Sequence, residues 1–228
     1  MTSSAEERLV EAILAAITDQ RLRPGAKLGE QALCELFGCN RAQVRRALSA
    51  LTGYHAVTHI PNRGTFVATP SAEEAREVFE ARRAIEATIA RSAAVKATPE
   101  QIAQLKAHLE EERTHHSGGA RREEIRLSRA FHLELAEVAG NRVLAGYLSD
   151  LTLRTSLILG LYGSDAAGFC GVDDHAEILD AVAAGDPERA ADLARDHLRH
   201  IEAGLDITPR PAAANELAAA FPDRVQPA

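Results

Sequence analysis

At 228 residues, 46% hydrophobic and 26% charged, the chain is long enough to bury a core in each of two modest domains, and its composition is that of an ordinary folded protein. Only 4% of the residues are aromatic and none is Trp, which favours Leu/Ala-rich helical packing over a β sandwich. A net charge of -7 argues against nucleic acid at first sight, because phosphate neutralisation supplies most non-specific binding. The distribution of charge along the chain points the other way. Residues 1–70 hold eight Lys/Arg and six Asp/Glu, leaving 18 basic and 27 acidic residues in the other 158. Between Asn40 and Gly64 there are four arginines and no acid. A neutral-to-basic segment joined to an acidic one is the asymmetry expected when only the first faces DNA.

Along the chain, Leu9, Ala12, Ile13, Ala16 and Ile17 recur at helical spacing and predict a first helix over residues 5–20. Pro24 and Gly25 mark the turn that ends it, and a short helix over residues 30–37 leads to Gly38, a natural C-terminal cap. Asn40 with Gln43 reads as a capping pair for a third helix. There Val44, Ala47, Leu48 and Leu51 form the inward stripe, and Arg41, Arg45 and Ser49 form one outward line with Arg46 beside it. Two β-like stretches, residues 56–60 and 65–68, flank Pro61, Asn62, Arg63 and Gly64 and predict a hairpin wing.

Ser71 with Glu74 opens a long helix carrying Phe79, Arg82, Ile85, Glu86 and Ile89, which puts the domain boundary near Thr69. Thr98, Pro99 and Glu100 start the next helix, which ends by Ser117. A helix over residues 121–139 is followed by a strongly apolar one to about Tyr162, expected to be a central or interface helix. After a loop over residues 163–174 come a short helix from His175 and a last one from Pro187, capped by Asp186, to about Gly204. The predicted architecture is mainly α: a winged helix-turn-helix over residues 1–69, an all-α helical bundle over 70–205, and a loosely ordered tail over 206–228.

No apolar run approaches the roughly 20 residues that span a bilayer, and the N-terminus lacks the basic-then-apolar order of a signal peptide. A cytoplasmic protein with no membrane partner is expected. Cys34, Cys39 and Cys170 match no zinc-ribbon or CxxC spacing and read as reduced, mostly buried thiols.

A helix, a turn, an arginine-faced helix and a β wing make a physically sensible reader of double-stranded DNA, the second helix entering the major groove. Arginine suits it because its fork donates two hydrogen bonds to O6 and N7 of guanine. Gly64 keeps the wing backbone close to the DNA, and Arg63 supplies charge at the tip. In the second domain His132 falls on the inward stripe of its helix with Phe131 and Leu135, and His197 is in line with Leu193, Ala194 and Ile201. With His175 these make a candidate metal site, although a single buried histidine is more often hydrogen-bonded than ligating. Arg82 reads either as an i, i+4 ion pair with Glu86 or as a clamp for an anionic ligand, since a buried cation is costly without a partner. His55, His59, His108, His115, His116 and His200 show no such pattern and read as mostly exposed, with His59 able to touch DNA and His200 able to back the site.

The pattern Pro24-Gly25-x-x-Leu28-x-Glu30-x-x-Leu33, then Phe37, Gly38, Arg41, Val44, Arg45, Ala47, Leu48 and Leu51, then Gly64, Phe66 and Val67, resembles the DNA-binding domain of GntR-family bacterial regulators. By that resemblance Arg41 and Arg45 are the main recognition contacts and Gly64 belongs to the wing. The family usually has Ser or Thr where this chain has Asn40, and an acidic residue where it has Arg46. Further on, Arg82-x-x-x-Glu86, Phe131-His132-x-x-Leu135, His175-x-x-Ile178 and the spacing from Gly185 to His197 resemble the helical FCD-type sensor of the FadR-like branch. The resemblance implies a homodimer whose helical domain binds a small carboxylate effector, with Arg82 and Ser128 as candidate effector-binding residues. It also implies a divalent metal such as zinc or nickel on His132, His175 and His197. Many members carry an Asp four residues before the first histidine; here that position is Ser128, leaving three ligands and an open position. DNA-binding regulation by repression is therefore the expected function. The alternatives are a metal-dependent hydrolase built on the three histidines, with Glu86 as base, and an architectural DNA binder with a vestigial sensor.

Overall fold

A computed structural model describes residues 4–117, 121–163, 172–207 and 217–224. The chain divides into two compact units, one formed by residues 1–70, 156–162 and 208–228, the other by residues 71–155 and 163–207.

The first unit opens with α1 (Ala5–Thr18), whose Ser4 cap and Glu7 side chain exchange hydrogen bonds at the helix start. A two-residue strand β1 (Lys27–Leu28), α2 (Glu30–Phe37), α3 (Arg41–Gly53), β2 (Val57–Ile60) and β3 (Gly64–Val67) follow. Apolar faces bring the helices together: Leu9, Ile13 and Ile17 of α1 and Val44 and Leu51 of α3 are at most 1% exposed, and α1 packs on α3. Burying each such side chain is worth about 1.5–3 kcal/mol. Gly38 ends α2 in the left-handed conformation, at φ 62°, which a residue without a Cβ adopts at no steric cost. The turn therefore closes tightly enough for Asn40 to cap α3, its Oδ1 accepting from the Gln43 amide at 3.0 Å and its own amide donating to Gln43 Oε1 at 2.9 Å.

The three strands form an antiparallel sheet in the order β1-β3-β2, with Lys27 opposite Phe66 and Ile60 opposite Gly64. The sequence pattern anticipates the hairpin but not β1, because two residues are too few to display an alternation. The hairpin turns through Asn62 at φ 62° and Gly64 at φ 106°. The latter is a conformation that disfavours any side chain, and it is a firmer reason for glycine at this position than close approach to DNA.

Part of the C-terminal tail departs from the expectation of loose order. Leu217–Ala220 and Pro222–Arg224 form short 3-10 turns, and Phe221 is 5% exposed. Its ring meets Phe37 edge-on at 5.0 Å, Arg224 lies over the Phe37 ring at 4.5 Å from its centroid, Arg21 lies over the Phe221 ring at 6.0 Å, and Arg21 Nη1 donates to the Ala220 carbonyl at 2.6 Å. One aromatic flanked by cations gives this short segment a fixed seat, which composition alone conceals. Phe221→Ala forfeits the aromatic pair, worth about 0.5–1.5 kcal/mol beyond its burial. At roughly 4–8 °C per kcal/mol for a unit of this size, a drop of several degrees in the unit's calorimetric transition is expected. An unchanged transition would show the tail to be a passenger.

The second unit is all helical. It comprises α4 (Ala72–Lys96), α5 (Pro99–Ser117), α6 (Arg121–Ala139), most of α7 (Arg142–Tyr162), α8 (Val172–Ala183) and α9 (Pro187–Ala203). Its central element is α4, packed against α9, α6 and α8, while α5 packs against α6 and α8. The central place expected as one option for α7 thus belongs to α4; α7 instead leaves Val143 and Tyr147 exposed. Small residues explain the choice. Ala87, Ala90 and Ala93 on α4 and Ala190, Ala191 and Ala194 on α9 are buried, and without long side chains at the contact the two backbones approach closely. Asp186 caps α9 by accepting from the Arg189 amide at 3.1 Å, with Pro187 at the first position. The core gathers around Phe131, Ile89, Leu105, Leu135 and Ile178, and the three histidines stand at its edge.

Candidate nucleic-acid interface and metal centre

Arg41, Arg45 and Arg46 are all exposed on α3, on the face opposite its buried stripe. They are not equivalent. Arg45 Nε lies 3.0 Å from both carboxylate oxygens of Glu30 on α2, and the side chain is 66% exposed, so the ion pair engages Nε and leaves the two terminal nitrogens out of it. That hydrogen bond and the charge of Glu30 raise the guanidinium's pKa above its ordinary value. Arg41 Nη2 donates to Gln31 Oε1 at 3.2 Å. Arg46 turns the other way, its Nε 2.6 Å from Glu6 Oε2 on α1. In this structure the basic residue at a position the family fills with an acid ties α3 to α1. On the wing, Arg63 lies 5.8 Å from the Phe66 ring centroid and Lys27 of β1 lies 5.9 Å from it. Lys27 is a basic residue that the sequence pattern does not single out, and only the sheet pairing places it beside Arg63. His59 faces Thr65 across the hairpin, 3.3 Å from its hydroxyl.

In the helical unit His132 of α6, His175 of α8 and His197 of α9 converge although they lie far apart in sequence. Their rings are 4%, 0% and 1% exposed. His197 Nε2 stands 3.1 Å from His175 Nε2 and 3.4 Å from His132 Nε2, and one nitrogen from each ring lies within 4.8 Å of the others. Each Nδ1 faces a carboxylate: His132 meets Glu86 at 2.7 Å, His175 meets Glu112 at 3.0 Å, and His197 meets Asp174 at 3.2 Å. A carboxylate only accepts, so each Nδ1 carries a proton, and in the neutral rings that leaves three Nε2 lone pairs gathered at one place. That arrangement is unfavourable with nothing between them and is the one a cation requires. Two nitrogens bound at 2.0–2.1 Å to one tetrahedral zinc stand about 3.3 Å apart, close to the separations found. Carboxylates behind ligating histidines fix the ring orientation and raise its basicity.

Electrostatics point the same way. Among the described residues, three carboxylates touch the histidine rings and a single guanidinium, Arg82, touches any of them, its Nε 2.6 Å from Glu86 Oε1. Burial opposes ionisation of Glu86, but the charge of Arg82 and the hydrogen bonds from His132 and Arg82 outweigh it and hold the carboxyl well below its usual range. The hydrogen bond from His197, joined by one from His200 at 3.1 Å, lowers Asp174 to about 2 against the opposing effect of its partial burial. Three carboxylates and one guanidinium around the three imidazoles suit a divalent cation. The donor set, all nitrogen, suits zinc or nickel.

Two models of known families match the chain: "Bacterial regulatory proteins, gntR family" over residues 5–67 and "FCD domain" over residues 77–200. The chain belongs to the GntR family. It is a transcriptional regulator of the GntR/FCD type. The HTH-type transcriptional regulator LutR of Bacillus subtilis (strain 168) is 29% identical over 208 residues, which cover 82% of this chain and 94% of LutR. A GntR transcriptional regulator from Rhodococcus sp. RHA1 of known crystal structure is 27% identical with a TM-score of 0.78, over 88% of this chain and 97% of that one. E. coli McbR/YncC shares the fold, with a TM-score of 0.78 at 21% identity over 87% of this chain and 95% of its own. The family and these relatives are regulators, not enzymes, which removes the hydrolase alternative. Glu86, its candidate base, has one oxygen on Arg82 and the other on His132.

In this GntR chain the two candidate effector-binding residues, Arg82 and Ser128, are both buried. Arg82 is 3% exposed, bound to Glu86 and donating from Nη1 to the Thr155 hydroxyl at 3.3 Å. Of its two readings, the ion pair is the one the geometry favours; Arg82 sets Glu86 behind His132. Ser128 is buried on α6. His108 is a correction: its side chain is 9% exposed and lies against the Leu127 carbonyl at 2.9 Å and Glu134 at 3.2 Å. It seals the core beside Phe131, 6.5 Å between ring centroids, instead of lying free at the surface. Cys39 is buried and Cys34 half-buried, while Cys170 lies outside the described residues. Glu112 and Asp174 are functional candidates that the sequence pattern does not reveal. No spacing links Glu112 to a histidine 63 residues later, and a carboxylate among charged neighbours on a helix reads as solvated surface. No helix among the described residues is long and apolar enough to cross a membrane.

Proposed function

We propose that the protein is a cytoplasmic, homodimeric repressor that reads the half-sites of a pseudo-palindromic operator through Arg41, Arg45 and the wing residues Arg63 and Gly64, with Lys27 added to that set. The observation that carries this reading is the exposed Arg45 side chain, engaged by Glu30 through Nε alone, which leaves its two terminal nitrogens for a guanine edge. Arg46, engaged by Glu6, contributes to the α1–α3 contact more than to base reading. The exposed Val143 and Tyr147, one helical turn apart on α7, support pairing of two copies, which a pseudo-palindromic target requires.

The helical unit senses a small carboxylate through a divalent ion, zinc or nickel, on His132, His175 and His197. With three protein ligands and Ser128 in place of a fourth, a coordination position is left for the effector. Control requires the effector to bind the DNA-competent and released states with different affinity.

Selection from a randomised duplex library, followed by fluorescence anisotropy on the recovered sequence, tests the reading. A two-fold symmetric site bound with steep salt dependence, and released by a member of a carboxylate panel only when zinc or nickel is present, is the expected result. Recovery of no preferred sequence would overturn the operator-reading role, and release unaffected by chelation would overturn the metal's part in it.

A further inference from the structure

Glu112 is unlike the other two carboxylates of the site. Glu86 is neutralised by Arg82, and Asp174 is 29% exposed at its side chain and shared by His197 and His200. Glu112, on α5, is 0% exposed. One oxygen accepts a hydrogen bond from His175 Nδ1 at 3.0 Å, and the other, Oε1, has no hydrogen-bond partner among the described residues. Such a group is costly, since burying a carboxylate is tolerated only when charge and hydrogen bonds compensate it. Placing it directly behind the most deeply buried of the three rings, which is itself stacked on Phe131 at 4.4 Å, gives it one route to a compensating charge: through the imidazole to whatever sits on the Nε2 side.

Resting on the metal reading above, we propose that Glu112 is a positioning residue that sets the site's affinity for its divalent cation, left half-satisfied so that the empty helical unit is disfavoured and the loaded one favoured. The carboxylate orients His175 and raises its basicity, and the cation in turn supplies the charge that Glu112 lacks. A residue that served the fold alone would stabilise both forms equally. Glu112 stabilises the loaded form selectively.

The test compares wild type, Glu112→Gln and, as a control, Glu110→Gln, whose side chain on the same helix is 76% exposed. Zinc titrations by calorimetry and melting curves with chelator and with zinc are recorded for each. Glu112→Gln keeps an acceptor for His175 Nδ1 but removes the charge, so it is expected to weaken zinc binding about 10–100-fold while melting at the same or a higher temperature in chelator. Glu110→Gln is expected to match wild type in both. The proposal is overturned if Glu112→Gln binds zinc as wild type does, if it unfolds or melts lower in chelator, or if Glu110→Gln weakens binding equally. Wild type that binds neither zinc nor nickel overturns the metal reading itself, an outcome separate from all of these.

Discussion

On the proposed operator-reading role, Arg45→Ala is expected to remove specific operator binding with the fold intact. A bidentate arginine on guanine typically carries about a tenfold to hundredfold preference for the correct base. In the proposed dimer that contact is lost in both half-sites, so the two losses multiply toward roughly a hundredfold or more, which brings specific binding down toward the non-specific level. Stability should not follow. Arg45 is exposed and its partner Glu30 is 38% exposed at the side chain, and surface ion pairs contribute little to folding. Anisotropy on the selected operator, beside a melting curve, separates the two effects. An unchanged operator affinity would mean that α3 is not the recognition helix. A lost affinity with a lowered melting temperature would assign Arg45 to the fold instead.

His197→Ala is expected to abolish metal binding with the least collateral damage of the three histidine substitutions. Asp174, which backs His197, is partly exposed and still holds His200 at 3.1 Å when the ring is gone. Removing His175 would instead strand the buried Glu112, and removing His132 would leave Glu86 with only Arg82. A ligand that binds only the folded state stabilises it by about 2.7 kcal/mol at a hundredfold excess over its dissociation constant. Wild type should show that rise in melting temperature across a zinc titration, and His197→Ala should show none over the same range. A variant that still gains stability from zinc would mean that the three rings are a hydrogen-bonded core cluster and that zinc binds elsewhere.

The contrast between Arg46 and Arg45 shows where sequence reasoning stops. Both sit on the outward side of α3, and periodicity gives them the same standing. What separates them is Glu6 on α1 and Glu30 on α2, 40 and 15 residues away, contacts set by how the helices pack. The tail teaches the same lesson. Proline and alanine suggest loose chain, yet Phe221 meets Phe37, and no local pattern announces an aromatic that is buried against a distant element.

Short-range physics was legible from the residues alone: the Asn40 cap, the glycine at the end of α2, the arginine line, the wing hairpin and the presence of two histidines, His132 and His197, on inward helix faces. Each depends on neighbours within about one turn, where spacing and chirality dictate direction. The sequence thereby determined a winged helix followed by a helical bundle, and with the family match it determined a transcriptional regulator. The tertiary structure alone decided that the three Nε2 atoms meet, that Glu86, Glu112 and Asp174 stand behind them, that Lys27 joins the wing, and that Arg82 is held within an ion pair. Those facts depend on which helix lies against which, and helix packing is chosen by the summed burial of whole faces, in which no single residue announces its partner.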